Sequence, residues 1–151
     1  MKLSEFCVMN VACCTRQTTV LEAARMMRRH HTGDLIVVDD PEGERVPAGI
    51  ITDRDIVVDV LGMDLDPATT AVGDVMVKYS HLVVAREDED MTVAVERMRA
   101  HGVRRLPVVN HADELVGVVT LDDLLRMHAL QAQALADIVA KEQTQEQRQR
   151  R

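Results

Sequence analysis

The chain has 151 residues, enough for one ordinary domain or for two small units around a shared core. A net charge of −7 and an aromatic content of one Phe, one Tyr and no Trp disfavour binding to nucleic acid, which needs basic surfaces and often stacking platforms. No apolar run approaches the length of a membrane span, the N-terminus lacks the apolar segment of a signal peptide, and the three cysteines suit a reducing compartment, so we expect a cytoplasmic protein.

The first predicted elements are a short buried strand and an amphipathic helix. The apolar run VACC at 11–14 is typical of a buried strand. Thr19 and Glu22 then predict a capping box at the start of a helix, and Gly33 predicts a left-handed residue near its end. The apolar positions of this helix follow the i, i+3, i+4, i+7 spacing of one face: Val20, Ala23, Ala24 and Met27.

Two strands and a second helix complete this first unit. Apolar runs at 35–38 and 46–51 flank a segment rich in Asp, Pro and Gly, which predicts a hairpin. The sequence TDRDIVVDVL, from Thr52, then begins a helix. The order is therefore strand, helix, strand, strand, helix. After it, Asp66-Pro67 predicts the start of a short helix in a linker.

The same order recurs in the second half of the chain. AARMMRRHHTGDLIVVD aligns with AVERMRAHGVRRLPVVN, which places Leu35 on Leu106, and GIITDRD aligns with GVVTLDD. Asp90 is the matching helix cap and Gly102 the matching helix end. The chain is therefore a tandem duplication. We predict repeats at 1–61 and 75–129, a linker with a short helix at 62–74, and a C-terminal helix extension at 130–151 whose last residues, after Lys141, are solvated and frayed.

The duplicated motifs carry a family resemblance. GIITDRDI at 49–56 and GVVTLDDL at 117–124, supported by HGVRRLPVV at 101–109, resemble a pair of cystathionine-β-synthase (CBS) domains, or Bateman module. The resemblance covers nearly the whole chain apart from its tail. It implies a mixed α/β (α+β) fold, in which two pseudo-twofold-related β-α-β-β-α repeats pack through their sheets.

The resemblance also implies a function. Clefts between the repeats of such modules bind adenine nucleosides or nucleotides, namely AMP, ADP, ATP or S-adenosylmethionine. The modules form homodimers and regulate an attached domain, which is absent from this sequence. We therefore expect a stand-alone bacterial CBS-pair protein that signals to a separate, unknown protein partner.

The Thr-x-x-Asp pairs, Thr52/Asp55 and Thr120/Asp123, have two compatible interpretations. The spacing alone favours a capping box, in which both side chains satisfy the first amides of a helix. The resemblance implies instead that the aspartate accepts hydrogen bonds from ribose hydroxyls and that the threonine contacts ribose or phosphate. A cap at the mouth of a cleft can do both, since a carboxylate has several acceptor positions.

Two arginines distinguish the copies. Arg105 stands where the family often places a basic residue that meets phosphate, whereas its counterpart in the first repeat is Asp34. Arg54 lies within the first motif, and its counterpart is acidic. We therefore predict that Thr120, Asp123 and Arg105 form the better phosphate site and that the first cleft relies on Arg54. The resemblance further assigns the adenine to apolar residues, each of which could equally be simple core: Val11, Ala12, Ile50, Leu82, Val83 and Val118.

Other functions find less support in the sequence. No Cys-x-x-Cys or His-x-x-x-His motif occurs, so we expect no metal site. No Ser/His/Asp order, P-loop or GxGxxG motif occurs, so we expect no enzyme. The alternative to nucleotide sensing is an adaptor that binds a protein partner without a ligand. Nucleic-acid binding through the arginine clusters is the weaker alternative.

Overall fold

A computed structural model describes residues 1–78 and 81–150 of the chain, which divides into two compact units, Met1–Val119 and Thr120–Arg151. The described strands are Cys13–Cys14 (β1), Asp34–Val38 (β2), Pro47–Thr52 (β3), Val77–Lys78 (β4), Ala85–Arg86 (β5), Arg105–Val109 (β6) and Leu115–Thr120 (β7). The α-helices are Val20–His30 (α1), Asp53–Asp55 (α2), Val72–Val75 (α3), Met91–His101 (α4) and Leu121–Gln149 (α5). The predicted order of elements is therefore present in both repeats.

The strands form two mixed sheets. In the first, of order β1-β2-β3-β4, β1 runs parallel to β2, and β3 pairs antiparallel with both β2 and β4. In the second, of order β5-β6-β7, β5 runs parallel to β6. The parallel pairs require a crossover connection, which the helices α1 and α4 supply. This topology confirms the mixed α/β fold.

The two faces of β2 belong to two different cores, because successive side chains of a strand point to opposite faces. One core contains the apolar stripe of α1 and residues of β2 and β3: Val20, Ala23, Met27, Leu35, Val37 and Ile51. The other joins the first sheet to β7 of the second repeat: Ile36, Val38, Ile50, Leu115 and Val118. The second core confirms that the repeats pack through their sheets.

The helix ends agree with the sequence in part. Thr19 caps α1 by accepting a hydrogen bond from the Glu22 amide at 3.2 Å. α4 ends at the left-handed Gly102, with φ of 64°. The prediction for Gly33 is wrong, because His31 takes the left-handed position after α1, with φ of 52°. A non-glycine residue tolerates that conformation at a cost of about 1 kcal/mol, so the helix can end before the glycine.

The linker differs from its prediction at one point. The Asp66 carboxylate accepts a hydrogen bond from the Ala68 amide at 2.9 Å, but it closes a turn and no helix begins there. The short helix of this region is α3, which starts at Val72. At the boundary between the first repeat and the linker, α2 continues as a π turn at Ile56–Val60 and a 3-10 turn at Leu61–Met63.

Each repeat begins with a segment that pairs with a strand of the other repeat. Val8 exchanges two backbone hydrogen bonds with Val118 in β7, at 3.0 and 3.1 Å, while β4 pairs with β3 at Gly49 and Ile50. A Cβ on Gly117 would lie 2.6 Å from Cys7 Sγ and 2.8 Å from the Val8 carbonyl oxygen. A Cβ on Gly49 would overlap the Val77 carbonyl oxygen. Gly49 and Gly117, which begin the two duplicated motifs GIITDRD and GVVTLDD, are glycines because the backbone of another segment lies against each of them.

The second unit, Thr120–Arg151, consists of α5 and its flanking residues. α5 remains helical to Gln149, so the predicted fraying after Lys141 is wrong, although its side chains from 128 onward are exposed, as expected of that tail. Among the described helices, none is long and apolar enough to cross a membrane.

Candidate functional site

The first Thr-x-x-Asp motif lies where β3 ends and α2 begins. The Thr52 hydroxyl accepts a hydrogen bond from the Asp55 amide at 3.2 Å, and Asp55 Oδ2 accepts one from the Thr52 amide at 2.9 Å. The capping box predicted from the spacing is therefore complete. Both residues remain half-buried.

The second motif caps α5 in a different way. The Thr120 hydroxyl accepts a hydrogen bond from the Asp123 amide at 3.1 Å and donates one to Asp123 Oδ2 at 2.6 Å. In the second copy the carboxylate thus binds the hydroxyl, whereas in the first it binds the backbone. Within the described residues, Oδ1 of both Asp55 and Asp123 has no hydrogen-bond donor. Each carboxylate therefore keeps one oxygen for an outside donor.

Arg54 is exposed on α2 beside the first motif. Its amide donates to Asp53 Oδ1 at 2.8 Å, and its guanidinium makes no ion pair with any residue that the structure describes. Its charge is therefore open to an anion near Thr52 and Asp55.

Arg105 has a different environment. Its Nε lies 2.7 Å from Oδ1 of Asp34, its counterpart in the duplication. The Nε atom is buried and its N–H is not aligned with an acceptor in the described residues, so the contact is an ion pair without a well-formed hydrogen bond. Asp34 is only 8% exposed, and the same Oδ1 accepts a hydrogen bond from the Thr32 hydroxyl at 3.1 Å.

A second carboxylate lies close to the same guanidinium. A Cβ on Gly33 would be 3.0 Å from Asp53 Oδ2 and 3.4 Å from Arg105 Nη2, so both atoms border one small space. Asp34 and Asp53 were absent from the predicted site residues. The alignment of Asp34 with Arg105 was a signal for the first, but their contact depends on how the two repeats pack.

Four of the six apolar residues predicted for the adenine meet in one cluster. Val11 and Leu82 pack, partly buried, against Ile50 and Val118, which are 9% and 7% exposed. The other two do not join them. Ala12 packs against the α1 side of the first sheet, and Val83 is half-buried outside both described cores. Cys13, which was not predicted for the site, packs against the same cluster as Val11.

The three cysteines are free thiols that are buried or half-buried. Burial raises the pKa of the Cys14 thiol to about 12, and burial also raises the pKa values of Cys7 and Cys13. Over residues 1–78 and 81–150, no three His, Cys, Asp or Glu side chains converge as ligands for a metal ion.

The repeats, the exchanged strands and the paired capping motifs define a tandem CBS-domain pair. The CBS domain family matches residues 3–62 and 72–129, and the chain belongs to this family. An uncharacterised protein of Methanopyrus kandleri is 34% identical over 109 residues, covering 72% of this chain and 53% of that protein. The mitochondrial CBS domain-containing protein CBSX3 of Arabidopsis thaliana is 30% identical over 113 residues, covering 75% of this chain and 54% of that protein. The chain thus spans about half the length of these two relatives.

Solved structures with the same fold include three relevant neighbours. Hypoxic Response Protein I, with two coordinated zinc ions, is 30% identical with a TM-score of 0.72, covering 83% of this chain and 98% of that one. A CBS domain protein of Pyrobaculum aerophilum complexed with AMP is 23% identical with a TM-score of 0.73, covering 82% and 90%. A CBS domain pair in complex with 5′-methylthioadenosine and S-adenosyl-L-methionine is 23% identical with a TM-score of 0.75, covering 87% and 98%.

Proposed function

We propose that the protein is a sensor module that binds an adenine nucleoside or nucleotide at its Thr-x-x-Asp motifs and signals the bound state to a separate protein. The observation that carries this proposal is the free Oδ1 atom of Asp55 and of Asp123. Each aspartate caps a helix with Oδ2 and retains an acceptor for a ribose hydroxyl. Structural neighbours that bind AMP or S-adenosyl-L-methionine add support from the same fold.

The remaining parts of the ligand have candidate contacts. An adenine ring needs apolar walls, and the cluster containing Val11, Leu82, Ile50 and Val118 offers them. A phosphate needs a cation, and Arg54 is exposed beside the first motif without an ion pair in the described part of the chain. Arg105 remains a proposed phosphate contact, with the condition that it separates from Asp34.

The setting of the protein is also proposed. The free thiols suit the cytoplasm, and the site offers binding groups for a ligand without an assembled nucleophile and base, so we assign it binding rather than catalysis. Signalling requires that the ligand bind two conformations of the protein with unequal affinity, because only a difference in affinity shifts their populations.

Calorimetry on ligand-stripped protein tests the proposal. We expect AMP, ATP or S-adenosylmethionine to bind, and we expect Asp55→Asn and Asp123→Asn to weaken binding about tenfold at their own motifs, since each substitution removes a charged acceptor from the ribose. Asp59→Asn is the matched control, because Asp59 is exposed on the same helical segment as Asp55. It should leave the affinity unchanged.

The opposite outcome would favour the adaptor. If none of the three ligands produces heat with the folded wild-type chain, nucleotide sensing is wrong. The adaptor has its own supporting observation, because α5 exposes several large apolar side chains that could contact a partner: Leu125, Leu130, Leu135, Ile138 and Val139. In that case, partner capture should be the same for the wild type and for Asp123→Asn.

A further inference from the structure

The ion pair between Asp34 and Arg105 bears on which ligands the protein accepts. Among the described residues, Asp34 is the single buried charged side chain, and the Thr32 hydroxyl holds the carboxylate oxygen that contacts Arg105. A buried carboxylate anchored on two sides cannot turn into solvent when another anion approaches. Any such anion must therefore compete with it for the guanidinium.

We propose that Asp34 is a specificity-determining residue that holds Arg105 in place of a ligand phosphate. The inference rests on the proposed binding of adenine nucleosides or nucleotides. A nucleotide gains the attraction of Arg105 only by displacing or sharing the Asp34 carboxylate. The protein consequently discriminates less strongly in favour of phosphorylated ligands than the presence of Arg105 alone suggests.

The local charge balance supports this assignment. Arg105 Nη2 lies beside the same small space at Gly33 as Asp53 Oδ2, so a second carboxylate lies near the guanidinium that Asp34 contacts. A phosphate that enters this space is repelled by both carboxylates, because like charges a few ångströms apart repel each other. A nucleoside, or a ligand with a cationic group at this position such as a sulfonium, avoids that penalty.

The comparison with Arg54 shows why the effect is specific to one arginine. The side chain of Arg105 is 31% exposed, and the side chain of Asp34, with which it pairs, is 10% exposed. Arg54 is exposed and makes no ion pair with a described residue. Removal of the Asp34 charge therefore changes the electrostatic field at the Arg105 guanidinium directly, whereas the guanidinium of Arg54 keeps its present surroundings.

The test compares AMP with adenosine, which differ by the phosphate alone. For wild type and Asp34→Asn, calorimetry gives the two dissociation constants and hence the preference for AMP. We expect this preference to rise about tenfold in Asp34→Asn, through tighter AMP binding at nearly unchanged adenosine binding, because a charged partner is worth about one decade or more. Asp39→Asn is the matched control: Asp39 follows the other end of β2, has the same charge, and pairs with Arg16 at 2.7 Å. It should leave the preference unchanged.

Further variants keep the outcome decisive. The double variant Asp34→Asn/Arg105→Gln should not show the increased preference for AMP, because that increase requires the guanidinium that Asp34→Asn releases. If Asp34→Asn does not fold, Asp34→Ser removes the same charge and keeps an acceptor for Thr32. Arg105→Gln alone should reduce the preference for AMP, since it leaves the carboxylates of Asp34 and Asp53 uncompensated.

The results separate the inference from the function on which it rests. Equal preferences for AMP in wild type and Asp34→Asn, with both ligands bound, would overturn the role of Asp34 and leave nucleotide binding intact. A gain that persists in the double variant would also overturn it, because Asp34 would then act without Arg105. Failure of both adenosine and AMP to bind any folded variant would refute nucleotide binding and the inference together.

Discussion

Cys14 illustrates how burial of a single side chain sets its chemistry. It lies in β1, is 4% exposed, and contributes to the core on the α1 side of the first sheet. Burial raises the pKa of its thiol to about 12 from the ordinary value of 9.0, because a thiolate would lose its hydration there. Since the unfolded chain can ionise this thiol near pH 9 and the folded chain cannot, high pH favours unfolding.

We predict a loss of stability above pH 9 that depends on Cys14. The contribution of this thiol is fully present below pH 9 and declines as the pH rises toward 12, by about 1.4 kcal/mol for each pH unit. Urea unfolding of wild type and Cys14→Ala at pH 8, 9 and 10 measures it. The difference between the two free energies of unfolding should shrink with pH. Parallel pH dependences would contradict the prediction.

At the scale of residues, the sequence predicted local contacts and missed those between the repeats. The spacing of Thr52 and Asp55 predicted their capping box, because both partners lie within one helical turn. The alignment placed Asp34 opposite Arg105 as counterparts, yet it could not predict their ion pair. That contact depends on the tertiary approach of two segments about seventy residues apart, which no local rule determines.

At the scale of elements, α4 is held at its start by a contact between two charged side chains. Arg97 donates from Nη1 and Nη2 to the two Glu89 oxygens at 2.7 and 2.8 Å, and also to the Val84 carbonyl oxygen at 2.7 Å. Hydrogen bonds with Arg97 lower the pKa of the Glu89 carboxyl. Both side chains are about three-quarters buried, at 27% and 25% exposure, so solvent weakens this pair less than a surface pair.

We predict that Arg97→Gln destabilises the protein by about 2 kcal/mol near neutral pH, because the Val84 carbonyl loses this donor and, among the described residues, the half-buried Glu89 carboxylate keeps only the hydrogen bond from the Arg86 amide. Arg99→Gln is the control: its i,i+3 pair with Glu96 is 79% and 61% exposed and should matter little. Because the folded pKa of Glu89 is lowered, its contribution is present above its ordinary pKa of 4.5 and is lost as the pH falls below it. Urea unfolding measures the free energies of unfolding of wild type and Arg97→Gln at pH 7 and at pH 4. The difference between the two proteins should be smaller at pH 4 than at pH 7, and an equal difference at both pH values would contradict the assignment.

The elements themselves were largely predictable, and their ends less so. Apolar spacing placed α1 and α4 correctly, since a helix must bury one face. The left-handed end of α1 at His31 was missed, and β1 starts at Cys13, two residues later than the predicted strand at 11–14. Such ends depend on which backbone groups find partners in neighbouring segments, and sequence periodicity does not report that.

At the scale of the whole molecule, we propose that the predicted homodimer uses the α2 segment, residues 53–63, which consists of α2 and the two turns that continue it. Val57, Val58, Leu61 and Met63 are 57%, 48%, 55% and 67% exposed, and they lie within one short helical segment. Monomeric proteins seldom leave large contiguous apolar patches uncovered, so a run of four exposed apolar side chains is a candidate interface. A homodimer that covers it agrees with our expectation for stand-alone CBS pairs.

We predict that the wild-type chain sediments at twice its mass of 16.9 kDa and that Leu61→Glu sediments as a monomer, since a buried carboxylate would oppose the interface. Val93→Glu is the control, because Val93 is 42% exposed on α4, away from the α2 segment in sequence. Analytical ultracentrifugation over a range of concentrations distinguishes the states. A wild-type monomer at tens of micromolar would contradict the homodimer.

The pairing of Val8 with Val118 has a consequence for synthesis of the chain. Leu3 and Ser4 also donate backbone hydrogen bonds to the carbonyls of Glu89 and Glu87, at 3.0 and 2.9 Å. On the ribosome, residues 3–8 emerge on the order of a hundred residues ahead of Val118, which amounts to several seconds at ordinary translation rates. The nascent first repeat must therefore wait with this segment unbound, and its pairing can be completed only after β7 of the second repeat has been made.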